Sequence, residues 1–197
     1  MSKFRQVFES RGRCKMKRNI RLNKTYMIRI LVILVLISAL MIMKKIHGSF
    51  LVHSNGTKVL DMRFGYAATD VFKLFTSLGV DGRLIYSRYL CDDFVFIISF
   101  AIVQNYILKF AMGKAMLNSR WRFLLAIAYF RAFFDTTENI IIFILLNSFP
   151  TMSLSLVTVV SNVTKLKFII LGIWLFAIAV SLAARIKISQ KSKVEVV

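Results

Sequence analysis

The chain has 197 residues, 57% of them hydrophobic and 19% charged, with one Pro and 8 Gly. A soluble domain averages roughly 45–50% apolar and about 25% charged residues, so this composition excludes an ordinary water-soluble globule, and with it disordered, collagen-like and disulfide-stapled chains. In a soluble protein the net charge of +19 would point to nucleic acid. Against this apolar background it points to a membrane protein whose basic residues sit in particular loops, with the bilayer rather than nucleic acid as partner.

Residues 1–26 hold nine Lys and Arg, from Lys3 to Lys24, against the lone Glu9. The segment has no apolar period and reads as a solvated cytoplasmic tail. Its expected partner is anionic lipid, at about 1 kcal/mol per basic residue near the surface. Residues 30–43 are apolar without interruption. A bilayer core of ~30 Å needs about 20 helical residues, and Arg29 and Lys44 can snorkel to extend this run into a first span at about 27–44. No small-x-small site follows and the basic tail is long, so the segment reads as an uncleaved span rather than a signal peptide.

Residues 47–90 form the largest expected loop. Within it Thr69 is a candidate cap for a short amphipathic helix, with Val71, Phe72, Leu74, Phe75 and Leu78 at helical spacing and Gly79 as its stop. Such a helix lies at the interface or roofs a bundle. Asp81 then caps a helix that continues into a second span at about 91–113. A third span is expected at 123–148, ended by Pro150, and a fourth at 166–184. A basic cytoplasmic tail, 186–197, closes the chain. The fold expected is therefore all-α: a four-helix transmembrane bundle over 27–185 with a short amphipathic cap helix in its first outer loop.

Basic residues accumulate on the cytoplasmic side. Both termini and the 114–122 link (Lys114, Arg120, Arg122) then lie inside, and the uncharged 149–164 link outside. Lys44, Lys45, Lys165 and Lys167 remain on the outer side, against the rule. Tyr26 at one edge, and Tyr86 and Tyr89 at the other, suit interfacial belts. Cys14 and Cys91 fall on opposite sides, so no disulfide is expected. His47 and His53 are too isolated for a metal, and no nucleotide, metalloprotease or hydrolase motif occurs; neither metal nor cofactor is expected.

The third span is the most informative. Arg131, Asp135, Glu138 and Asn139 fall at i, i+4, i+7 and i+8, an arc of roughly 100° on one helix. An ionised Asp or Arg at mid-membrane costs about 2.5–3.5 kcal/mol, so the stripe must face other helices or a watered cavity. Arg131 and Asp135 can simply pair, with Glu138 and Asn139 as packing glue. The other reading is a site that binds a ligand or moves a proton, with Asp135 and Glu138 titrating, Arg131 as counter-ion, and Gln104 and Asn139 as neutral partners. Gln104 on the second span reaches about the depth of Asp135 and is expected to hydrogen-bond it or a shared ligand. Asp92, Asp93, Arg83 and Tyr86 are candidates for an outer mouth, where Arg63 or Arg83 can meet Asp92 or Asp93.

Asp61-x-Arg63-x-Gly65-Tyr66, Gly82-Arg83-x-x-Tyr86, Asp93, and Asp135-x-x-Glu138-Asn139 followed by Pro150 together resemble a loosely defined group of small four-span membrane proteins. That group carries an acidic-aromatic first loop and an Asp-x-x-Glu-Asn signature in its third span. The resemblance covers about 27–185 and implies the topology; the group has no established activity. By architecture and buried carboxyls alone the chain also has a distant likeness to the sterol isomerase and sigma-receptor-like membrane fold, with no residue matching that family's catalytic set. The leading functional expectation is binding or passage of a small amphiphile, lipid or proton at the intramembrane polar site. A lipid-modifying enzyme using a carboxyl acid/base stays open. So does an accessory subunit that docks a membrane protein partner or a second copy through the stripe.

Overall fold

The computed structural model describes the backbone of residues 2–194 and the side chains of 24–114 and 116–187, so most of both expected basic tails falls outside the side chains described. Among the described residues the chain is all-helical. Its long helices are α1 (Ser2–His53), α2 (Ala68–Leu117), α3 (Ile127–Ser148) and α4 (Leu154–Val194), with 3-10 turns at Leu60–Met62 and Arg120–Ala126. Helices α2, α3 and α4 pack on one another, whereas α1 lies mainly against α2. Most α1 side chains from Tyr26 to Ile42 are exposed, and Ala39, Met43 and Phe50 are its buried contacts.

Three stretches are long and apolar enough to cross a membrane: Lys24–His53, Ala68–Lys114 and Leu154–Lys187. At 22 residues α3 is long enough to join them, since a span takes about 20. What separates it is Arg131, Asp135 and Glu138 in its middle.

The helices overrun the expected spans. Helix α1 continues to His53, and α2 begins at Ala68, so the loop between them is only 54–67. Helix α4 starts at Leu154, well before the expected 166. Residues 154–165 are rich in Val and Thr, poor helix formers in isolation. Val157, Val160, Ser161, Val163 and Thr164 are nevertheless buried, and packing of that face overrides propensity. At the other end of α3, 123–126 form a 3-10 turn instead of helix. Ser119 accepts the Trp121 N–H (3.3 Å) there and the Asn105 amide donates to the Leu125 carbonyl (3.1 Å).

Helix α2 is broken at Gly79 (φ 61°, ψ −166°), a left-handed backbone that glycine adopts without a Cβ penalty. The segment before it buries Val71, Leu74, Phe75 and Leu78. Its start is stabilised by Asp70, whose carboxylate accepts the Ala67 N–H at 2.9 Å, and not by Thr69 as the sequence suggests. The carbonyl of Phe75, one turn before the break, accepts from Arg83 at 3.0 Å.

The apolar core has two parts. At the end carrying loop 54–67, Phe50, Leu60, Phe75, Tyr86, Leu145 and Val160 belong to one cluster; at the end carrying 118–126, Leu108, Met112, Trp174 and Ala177 form a second. Tyr86 and Tyr89 are buried in the first and do not form an interfacial belt. Their hydroxyls are used internally: Tyr86 accepts the Leu60 N–H (3.0 Å) and Tyr89 donates to Asp61 (3.2 Å).

Candidate functional site

Between the two apolar clusters lies a layer of buried ionic and polar side chains. Helix α3 contributes one stripe: Arg131, Asp135, Glu138 and Asn139 are at most 7% exposed, because their spacing keeps them on one face. Helix α4 answers with Ser161, Thr164 and Lys167, three residues apart and all buried. Helix α2 adds Asp93, Gln104 and Phe100, and the loop at the end of α1 adds Asp61 and Tyr66.

Lys167 is the hub. Its ammonium pairs with Asp135 at 2.9 Å and with Glu138 at 2.5 Å. Arg131 reaches the other oxygen of Asp135 at 2.6 Å, and its guanidinium lies 4.6 Å from the centroid of the Phe100 ring. Charge in a medium this apolar is tolerable only when paired and hydrogen-bonded. The second oxygen of Glu138 is met by the Thr164 hydroxyl at 2.6 Å, and the Asn139 amide donates to Asp93 at 2.7 Å.

The loop is drawn down onto this layer. The Tyr66 N–H donates to Ser161 Oγ at 3.0 Å, and the Tyr66 hydroxyl lies 3.4 Å from Thr164 Oγ1. Gly65 makes the approach possible: its φ is +89°, and a Cβ there would stand 2.5 Å from Lys165 Cε. Asp61, in the same loop, is 7% exposed. Burial pushes its carboxyl above the ordinary aspartate range, partly offset by the charge of Lys167.

Several expectations are altered. Gln104 is fully buried, yet it makes no hydrogen bond to Asp135, and neither its amide oxygen nor its nitrogen has a partner among the described residues. It sits one turn beyond Phe100, below Arg131, at a depth Asp135 does not reach. Asp93 is not at a mouth but inside, on Asn139. Its neighbour Asp92 points about 100° away, into a groove of about 350 Å³ against α1 lined by Leu31, Leu34, Ser38 and Val95. Neither Arg63 nor Arg83 meets these carboxyls. Arg63 donates to the Lys58 carbonyl (3.1 Å), and Arg83, besides holding Phe75, stacks over Phe149 at 4.9 Å. Tyr86 is committed to Leu60, so no mouth is assembled from Asp92, Asp93, Arg83 and Tyr86.

Lys167, Thr164, Asp61 and Tyr89 are site residues that sequence reasoning missed. The signal for Lys167 was present, because it was one of four lysines on the wrong side of the charge rule, and burial in an ion-pair cluster is how such a lysine escapes that rule. Asp61 and Tyr66 stand out in the sequence only within the acidic-aromatic first loop of the resemblance.

Other atoms in the layer also lack a protein partner: Arg131 Nη1, Asn139 Oδ1 and Asp61 Oδ1. No group of three His, Cys, Asp or Glu side chains able to hold a metal ion occurs among the described residues. Compared with known proteins, the chain matches no family model, no curated protein and no solved structure.

Proposed function

We propose that the chain is a four-span integral membrane protein, with both termini cytoplasmic, in which the buried cluster of α2, α3 and α4 is an intramembrane binding site. Its guests are protons and the polar end of a small amphiphile or lipid. On this reading α3 is the remaining span, its charges answered by α2 and α4, and the segment of α2 before Gly79 is the cap over the outer end of the bundle. The likeness to small four-span proteins with an Asp-x-x-Glu-Asn third span belongs to the same proposal.

The observation that carries it is the mismatch inside the cluster. Two cations, Arg131 and Lys167, stand among four carboxyls, Asp61, Asp93, Asp135 and Glu138, so charge balances only with protons on two of the four. A network that served solely to clamp helices would have its hydrogen bonds satisfied, because each unmet buried group costs about 1–3 kcal/mol. Here the whole Gln104 amide, one Arg131 nitrogen and one Asn139 oxygen have no partner among the described protein groups. Unmet groups on Asn139, Arg131 and Asp61 beside surplus carboxyls, with the Gln104 amide one turn further along α2, suit a site that accepts a guest.

Asp135→Asn and Glu138→Gln, each near-isosteric, test this. The expected outcome is a protein that still inserts and keeps its helix content but no longer co-purifies with the amphiphile found by mass spectrometry in the native preparation, and whose proton uptake in a pH titration is reduced. If both variants retain the same bound molecules and titration behaviour, the site reading fails. If both lose insertion or assembly, the cluster is a packing device.

A further inference from the structure

At the end of the bundle away from Asp61, an apolar groove of about 470 Å³ opens between the end of α2, the 3-10 turn and α4, within the ~300–1,000 Å³ range of ligand sites. Met116, Trp121 and Leu124 form one wall, and Phe176, Ala177 and Val180 the other. Around it, among the described residues, the charge is of one sign. Residues 94–134 and 168–187 contain no Asp or Glu. Lys114, Arg120, Arg122 and Lys187 are exposed there and make no ion pair among the described residues. Arg185, by contrast, is committed, donating to the Phe110 carbonyl at 2.9 Å and covering the Phe110 ring.

We propose that this groove is a binding site for an anionic glycerophospholipid: one acyl chain lies along Trp121, Leu124, Phe176 and Val180, and the headgroup is held by Arg120 and Arg122. The apolar walls select a chain, and the uncompensated positive rim selects a negative headgroup over a zwitterionic one. The site is separate from the ionic cluster, so it stands or falls independently of the guest proposed there. It does require α2 and α4 to lie in a bilayer.

The tryptophans supply the test. The chain has two: Trp121 lines the groove, and Trp174 is buried, 6% exposed. In the Trp174→Phe variant, reconstituted in phosphatidylcholine vesicles, a small fraction of lipid is replaced by chain-brominated phosphatidylglycerol or by chain-brominated phosphatidylcholine. Bromine quenches tryptophan on contact. The expected result is quenching by phosphatidylglycerol at a far lower mole fraction. Two basic residues near the surface are worth about thirtyfold in relative binding, and Arg120→Gln with Arg122→Gln should remove that preference. Equal quenching by the two lipids overturns the proposal, as does a preference that survives the double variant, which would belong to the basic tail instead. Loss of the preference on adding millimolar inorganic phosphate would assign the rim to a free anion and also overturn it. Native mass spectrometry of the chain with both tryptophans intact, comparing retained phosphatidylglycerol with and without the two arginines, gives a second reading. Unchanged retention there is likewise fatal.

Discussion

Lys167 holds two carboxylates at once, and neither has an equivalent replacement: Arg131 reaches only Asp135, and Thr164 gives Glu138 one neutral hydrogen bond. Removing one partner of a buried pair typically costs about 3–5 kcal/mol, because a charge is left uncompensated. Lys167→Met should therefore lower unfolding stability in detergent by about that amount. Adding Asp135→Asn and Glu138→Gln to it should restore a large part, since removing every partner of a buried ionic group is far less costly than removing one. Equal losses in the single and triple variants would mean that packing, not charge, is at stake. Asp61 has a pH signature. Its carboxyl titrates higher in the folded protein than in the unfolded chain, so the folded state binds the proton more tightly. Stability contributed by this group is full at low pH and is lost as pH rises above the ordinary aspartate value of about 3.9. Thermal unfolding of Asp61→Asn across that range should show a shallower decline with rising pH than the parent; an identical slope would refute the assignment. At this scale the sequence was readable on α3, where period alone places four polar residues on one stripe. On α4 it was only partly readable: the charge rule marks four lysines as discordant, but nothing local distinguishes the one that dives into a cluster from those that snorkel to a surface, and in the loop it was not readable at all.

The elements show where local preference yields to packing. Residues 149–164 read as an uncharged link, yet from Leu154 onward they are helix because one face is buried against α3 and the loop. The 54–67 loop depends on its glycine. Gly65→Ala must hold a left-handed backbone, a strain of order 1–3 kcal/mol, and its Cβ must displace the Lys165 side chain. The expected outcome is a loss of about 1–2 kcal/mol and faster proteolysis within 54–67, with the helices intact; proteolysis at the parent's rate would show that the loop is not held down through Gly65. The break at Gly79 was legible, since glycine after an amphipathic run signals a helix end. The cap at its start was not, because Asp70 reaches back to Ala67 and so displaces the more conventional Thr69 by one turn geometry over another.

For the whole molecule, α1 is the least integrated helix: its side chains between Tyr26 and Ile42 are mostly exposed. On the proposed topology a reporter fused after Val197 reads cytoplasmic and one inserted within 152–160 reads outside; the reverse pattern would overturn the orientation. What the sequence determined by itself is the helical class and the presence of stretches apolar enough to cross a membrane; it reads four, and three of the helices are apolar enough by length and composition. Composition and 3.6-residue period are properties of a segment in isolation, and they also place the polar stripe on α3. Only the tertiary structure decided who answers that stripe. The pairing of Asp135 and Glu138 with Lys167 and the burial of Asp61 and Asp93 beside them each join residues tens of positions apart, and Gln104 is left out of that pairing. Such partners are fixed by how the helices cross and by the balance of desolvation against pairing, neither of which any single segment encodes.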